Sequence, residues 1–307
     1  MKNSLISAFF VLALLLLFTS CGSPAKVKNN DPDETYFFGK AQFVADESFA
    51  PILDQEVYVF SATNKGAEPQ MVYKTENEAL RLFLSDSIRV AILARTLKPD
   101  EIKLLNQRTL PPEINCFAYD AVALIVNKSS TDTLTSVAEL KKMLNGQAKT
   151  DKNIVFDNPN SSITRYLKDF SGNQTLQQKN IYALKTNVDV IKYVSEHANA
   201  IGFISYSWLL NPDKSYADML NNIKMVGVKD EGNKDDPKNY FTPSQNSLAM
   251  RQYPLVRGLY IINSTGKKGL ATGFATFIES ERGQRIVLRS GLLPDSIPTR
   301  EVSFSKQ

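Results

Sequence analysis

Three short segments carry hydroxyl, amide and basic side chains where apolar runs end: Ala45-Asp46-Glu47-Ser48-Phe49, Lys74-Thr75-Glu76-Asn77 and Asn158-Pro159-Asn160-Ser161-Ser162-Ile163-Thr164-Arg165. Each joins an expected strand to an expected helix. In an open α/β sheet, ligands sit outside the carboxyl ends of the strands, where helix starts converge. The first N–H groups of a helix have no partner within it, and the positive helix end favours negative charge. Ser48, Thr75, Ser161, Ser162 and Thr164 add hydroxyl donors, and Asn158 adds an amide. Taken singly, each segment reads as an N-cap serving its own helix. Together they read as an oxyanion site. Arg95, directly after the run Val90–Leu93, supplies a guanidinium that can clamp two oxygens of one ligand. Asp46, Glu47 and Asp157 share this neighbourhood and repel a dianion unless they are paired or take a proton from it. On this reading Arg95→Ala abolishes anion binding and Ser48→Ala weakens it.

Other chemistries lack material. The chain has one histidine, His197, in a polar turn, and two cysteines. Zinc sites and triads built on histidine or cysteine therefore have almost no side chains to draw on. Cys116 lies in the strand-like run Ile114–Ala118 and reads as buried and inert. No GxGxxG or Walker A loop occurs, and no cofactor is expected. A formal net charge of +4 on 307 residues does not suggest nucleic acid.

The amino terminus points to export. Lys2 precedes an apolar run from Leu5 to Phe18, then Thr19-Ser20-Cys21-Gly22-Ser23. That run is shorter than the roughly 20 residues of a stable spanning helix. It resembles a bacterial lipoprotein signal, with Phe18 where leucine is usual, and implies a lipid on Cys21 after removal of residues 1–20. The signal carries one lysine, so the mature charge is +3. Residues 21–35 read as a tether rich in Asn, Asp, Pro and Lys.

The elements that must position these residues alternate between short apolar runs and helix-period segments, which is the mark of an α/β sheet. Strands are expected at Ala41–Val44, Met71–Tyr73, Val90–Leu93, Ala121–Val126, Ile154–Phe156, Ala200–Ile204 and Leu255–Ile262, the last interrupted by Arg257 and Gly258. Helices are expected through Leu53, Val57 and Phe60, through Ala79 to Leu84, over 100–107, through Tyr166, Leu167 and Phe170, and in two closing segments ending near Gly291. Thr75 with Glu78 and Ser136 with Glu139 read as capping boxes, and Thr186 with Asp189 resembles a third helix start. The charged stretch 230–243 reads as a surface loop.

The order of these segments resembles the substrate-binding proteins of phosphate ABC importers (PstS-like), which have the type II periplasmic-binding-protein fold. The resemblance runs from about Ala41 to Pro294. It rests on Tyr119–Asn127, Leu134–Gly146, Ser162-Ile163-Thr164-Arg165, Asn199–Phe203, Tyr253–Tyr260 and Glu281–Gln284. It implies two lobes, each a mainly parallel sheet flanked by helices: lobe 1 over 36–118 plus 256–300, lobe 2 over 119–255. It implies a non-enzymatic monomer that closes on phosphate or a similar oxyanion and hands it to permease subunits. Ser48 and Phe49 match the family's Thr-Phe pair, Thr75 its serine N-cap, and Ser162 and Thr164 two hydroxyls of its phosphate loop. Three positions depart. Asn158 stands for a loop arginine, Ile163 for a glycine, and Ala94 for the aspartate that accepts the phosphate proton. Two alternatives remain at this point: a structural or ligand-sensing lipoprotein that has lost the ligand, and a carboxylate-dependent hydrolase using Asp46, Glu47 and Asp157.

Overall fold

The computed structural model describes residues 35–148, 150–176 and 178–296. The expected signal, Cys21 and the tether through Glu34 lie outside the described residues.

Among the described residues ten of twelve strands form one sheet: β1 (Gly39–Asp46), β2 (Ala67–Lys74), β3 (Val90–Leu93), β4 (Glu113–Asn127), β6 (Asn153–Phe156), β7 (Ile181–Ala183), β8 (Ala200–Ser205), β9 (Ile223–Met225), β11 (Val256–Asn263) and β12 (Leu293–Pro294). β5 (Leu134–Ser136) and β10 (Gly227–Lys229) pair separately. The order along the main path is β2-β1-β3-β11-β4-β8-β6-β7, with β12 and β9 also on β4.

β4 gives the sheet two halves. Its first part, Glu113 to Ala121, runs antiparallel to β11. Its second part, Val122 to Val126, runs antiparallel to β8. The partner therefore changes at Asp120–Val122. Within the halves, β1 is parallel to β2 and β3, and β6 is parallel to β7 and β8. Parallel neighbours need crossover connections, and helices supply them. The crossovers are α1 (Ala50–Thr63), α2 (Glu76–Leu84), α5 (Ser162–Ser171) and α6 (Asn187–Glu196); α3 (Pro99–Gln107), α4 (Val137–Leu144), α7 (Ser207–Leu210), α8 (Gln245–Ala249), α9 (Leu270–Glu279) and α10 (Glu281–Ser290) make the other connections.

Alternation along the strands shows why both faces are covered. Phe43 and Ala45 of β1 join a core with Ile52, Phe60 and Phe274, while Val44 between them packs with Ala79, Phe83 and Leu105. Period-two strands send successive side chains to opposite faces, and each face here meets its own helices. Phe274 sits edge-on to Phe43 and Phe60, with centroids 4.9 and 5.2 Å apart. In the other half Val190 and Val194 of α6 close over Gly202. A Cβ at that glycine would lie 2.8 to 2.9 Å from Val194, Ile125 and Val190, so the helix rests directly on the strand.

The expected strands and helices are all present, with three local corrections. Ser136 and Thr186 form reciprocal capping boxes with Glu139 and Asp189. Thr75 does not: its side chain caps no N–H, and its Oγ1 lies 3.2 Å from Glu78 Oε2. Arg257 and Gly258 do not interrupt β11, which pairs continuously through both; its irregularity is a bulge at Leu259/Tyr260. Cys116 is half-buried rather than buried, and burial beside Asp295 pushes its thiol up to about 11, so it stays protonated near neutral pH.

Candidate oxyanion site

The carboxyl ends of β1, β2, β3 and β6 meet at the seam between the halves, joined there by direct hydrogen bonds. Asp46 is the last residue of β1 and is buried. Its Oδ1 accepts the Ser48 N–H at 2.8 Å and its Oδ2 the Ser162 N–H at 3.0 Å. One carboxylate thus joins the first helical turn after β1 to the start of α5 in the other half.

The guanidinium buried at this seam is Arg257. It stands directly opposite Asp120 in the β11–β4 register, at the point where β4 changes partner. Cross-strand neighbours share a face, so the two side chains meet. Arg257 Nε and Nη2 donate to Asp120 Oδ2 at 3.0 and 2.8 Å, and Nη1 donates to Ser162 Oγ at 2.7 Å. The guanidinium carbon lies 4.9 Å from the centre of the Phe49 ring, a cation–π contact. Ser205 Oγ also donates to Asp120 Oδ2, at 2.7 Å. The Ser207 hydroxyl and Trp208 indole N–H both donate to the Ser48 carbonyl. Two buried polar atoms here have no protein partner: Ser48 Oγ and Asp120 Oδ1.

Around the loop 157–164, Ser161 N-caps α5 by accepting the Thr164 N–H at 3.2 Å, and its own hydroxyl donates to Asp157. Thr164 Oγ1 donates to the Asn158 carbonyl at 2.8 Å, and Asn158 Oδ1 accepts the Asn160 N–H at 3.0 Å. Asn158 therefore braces its own loop. Asn187 of α6 reaches Asp157 at 3.4 Å. Further bonds cross between the halves. Arg165 forms a bidentate pair with buried Glu76 and donates to the Ala94 carbonyl at 3.1 Å. The Asn77 N–H reaches the Asn160 carbonyl at 3.2 Å.

Acids outnumber cations. Asp46, Asp120 and Asp157 are buried and Glu47 is half-buried, against Arg257 and the already paired Arg165. Burial pushes the Asp157 carboxyl well up, helped by the charges of Asp46 and Glu47 and opposed by Ser161 and Arg257. Burial, then Asp46, lifts Glu47 to about 7, with an Asn187 backbone bond pulling the other way. Both groups hold protons in a range where surface carboxyls do not.

The sequence-expected residues divide clearly. Ser48, Phe49, Ser161, Ser162 and Thr164 lie in this cluster. Thr75 stands at the start of α2, next to Glu76 of the cross-half ion pair. Arg95 points elsewhere: its guanidinium makes a bidentate pair with Glu101 at 2.9 and 2.7 Å and donates to the Thr96 carbonyl. Glu101 also accepts the Lys98 N–H at 2.7 Å, so the arginine fixes the start of α3. That pairing reverses the expectation for Arg95→Ala. The variant is expected to lose about 1 kcal/mol of stability through a loosened helix start and to change anion affinity by less than about twofold. Titration of the purified variant checks this. Arg257 and Asp120 form a pair that neither residue's own neighbours in the chain announce. Their signal was one charge of each sign inside two otherwise apolar strands, since buried charges must be paired.

Comparison with known proteins agrees with this architecture. The phosphate-binding protein PstS of Staphylococcus saprophyticus is 24% identical over 276 residues, covering 86% of this chain and 81% of that protein. A phosphate-bound crystal structure from Clostridium perfringens superposes with a TM-score of 0.69 at 17% identity, covering 84% of this chain and 100% of the other. An ABC-type phosphate transport receptor from Vibrio cholerae gives 0.61 at 18% identity, over 83% of this chain and 100% of that one. These likenesses carry the fold: two half-sheets joined through shared strands, with helices on both faces. A domain description matching residues 38–282 takes in every element from β1 to the start of α10, and the chain belongs to the family it defines, the PBP superfamily domain.

Proposed function

We propose that the chain is an extracytoplasmic solute-binding protein that captures an oxyanion, phosphate first among them, for an ABC-type importer. The observation that carries this reading is the meeting of the Ser48 and Ser162 N–H groups on Asp46, with the unpartnered Ser48 hydroxyl, the Ser162 hydroxyl and Arg257 in one buried cluster at the strand ends. Amide donors at a helix start together with a guanidinium suit a small multi-oxygen anion. The relatives named phosphate-binding proteins and the phosphate-bound neighbour support the same ligand class. No covalent step is needed. The protein acts as a monomer held at a membrane by lipid on Cys21 and passes its ligand to permease subunits.

The halves act as the two lobes, 36–118 with 256–300 and 119–255, closing about the strands they share, β4 and β11. Ser48, Asp46, Ser162 and Arg257 are buried, so ligand entry requires the lobes to part. On closure each charge-assisted hydrogen bond contributes roughly 1.5–3 kcal/mol.

Calorimetric titration of the purified protein with phosphate, sulfate and a dicarboxylate tests the reading. Saturable heat with phosphate is expected, weaker with sulfate and absent with the dicarboxylate. No heat with any of them would favour the second reading, a ligand-sensing or structural lipoprotein. The excess of acids around Arg257 is the observation on its side.

A further inference from the structure

The cradle that an oxyanion would use already holds one, and it belongs to the chain. We propose that Asp46 is the specificity-determining residue of this cleft: its carboxylate lies between the Ser48 and Ser162 amides as a tethered oxyanion that an incoming anion must displace. The inference rests on the oxyanion reading above and adds what sets its affinity.

The geometry is that of a ligand rather than of an ordinary cap. A capping aspartate serves its own helix, as Asp46 does through Oδ1 and the Ser48 N–H. Oδ2 instead crosses to Ser162, 116 positions along the chain, at the first turn of α5 in the opposite half. That N–H is one of the orphan donors of a ten-residue helix. At that helix start Ser161 Oγ takes the Thr164 N–H and Asp46 takes the Ser162 N–H, so two of its first three amides are already engaged by side-chain oxygens. A carboxylate has two oxygens and spends both. The buried Ser48 hydroxyl stays without a partner beside it. A tetrahedral anion has more oxygens and can use both amides, that hydroxyl and Arg257 together.

Displacement has an electrostatic consequence. Asp46 acts on Glu47 of the following turn and on Asp157 after β6, and Asp157 is also faced by Arg257 of β11, itself paired with Asp120 of β4. Asp189 of α6 faces Glu47. An added anion raises the negative potential felt by Glu47 and Asp157, which burial and Asp46 already push upward, so binding is accompanied by proton uptake. Affinity for an anion whose own charge is fixed therefore rises as pH falls. A site made only of hydroxyls, amides and a guanidinium shows no such slope.

The test compares the mature chain with Asp46→Ser, which keeps a cap for the Ser48 N–H but cannot reach Ser162, and with Asp46→Asn, which keeps the volume and guards against a folding defect. Inorganic phosphate and sulfate are titrated into each. Asp46→Ser is expected to bind both about tenfold tighter or more, and its sulfate affinity is expected to vary less between roughly pH 8 and pH 5.5 than that of the parent. Without any anion, amide hydrogen exchange in peptides covering Ser162 is expected to quicken about tenfold in the serine variant, with protection restored by phosphate. Unchanged exchange at Ser162 overturns the proposal whatever the titrations give. So does faster exchange with weaker anion binding, which would make Asp46 a ligand contact instead of a competitor. If no anion binds either chain, the oxyanion reading falls, and the exchange rate alone judges whether Asp46 holds the cradle.

Discussion

Replacing Arg257 by methionine is expected to destabilise the fold by about 3–5 kcal/mol and to remove measurable anion binding. The cost arises because Asp120 stays behind, fully buried, with its charge partner gone. Only Ser205 still donates to it, and Asp120 Oδ1 already lacks a partner. For a domain of this size each kcal/mol shifts the midpoint by about 2–4 °C, so a fall on the order of 10 °C is expected. Truncating one member of a buried pair overstates what the pair contributes, because replacing both is far cheaper. The double variant Arg257→Met with Asp120→Leu is therefore expected to regain most of the loss, while anion binding stays absent. Urea denaturation of the two singles and the double, with phosphate titration of the double, separates the two roles. A stable double variant that still binds phosphate would remove Arg257 from the ligand's partners.

What could be read from the sequence was what local forces decide. Strand and helix positions follow from side-chain periodicity, and the boxes at Ser136 and Thr186 close over three residues. Thr75 shows the limit even there. Its pattern matches theirs, but Glu78 meets the threonine hydroxyl instead of the cap N–H, so neither half of the box forms. Non-local pairing was out of reach. Nothing near Asp120 in the chain says that β4 leaves β11 for β8 just beyond it, or that Arg257, 137 positions away, stands opposite. The same limit explains the choice between arginines. Arg95 has the expected address at a strand end, but Glu101 lies six residues on and captures it. Arg257 looks like a flaw in a strand until the register supplies its partner. Asp46 read as a source of repulsion near the site, whereas the fold puts its carboxylate inside it, because only the assembled sheet brings Ser162 within reach.

Glu56 is expected to impose a pH-dependent loss of stability that Glu56→Met abolishes. It sits in the buried stripe of α1 with Ile52, Leu53 and Phe60, and neither carboxyl oxygen has a hydrogen-bond partner. Burial alone lifts it from the usual 4.5 to about 9. Below 4.5 the group is protonated in both folded and unfolded chains and has no linkage effect. Between 4.5 and 9 the unfolded chain releases the proton and the folded chain keeps it, so stability falls as pH rises, by about 1.4 kcal/mol per pH unit. At neutral pH the accumulated loss is on the order of 3 kcal/mol. Methionine fills a similar volume with no polar atom to strand. Urea denaturation of both proteins near pH 5, 7 and 8.5 should therefore give curves that diverge with pH, the gap widening by about 3 to 5 kcal/mol between the acid and alkaline ends in favour of the variant. Asp157 and Glu47 also bind protons on folding, so both proteins keep a residual slope of the same sign, and the difference between them isolates Glu56. Parallel curves would mean that Glu56 finds a partner in solution and ionises inside the fold. Because α1 begins at the turn that carries Ser48, the variant also asks whether a neutral, unpartnered acid in the helix core matters to the cleft, and unchanged phosphate affinity is the expected answer.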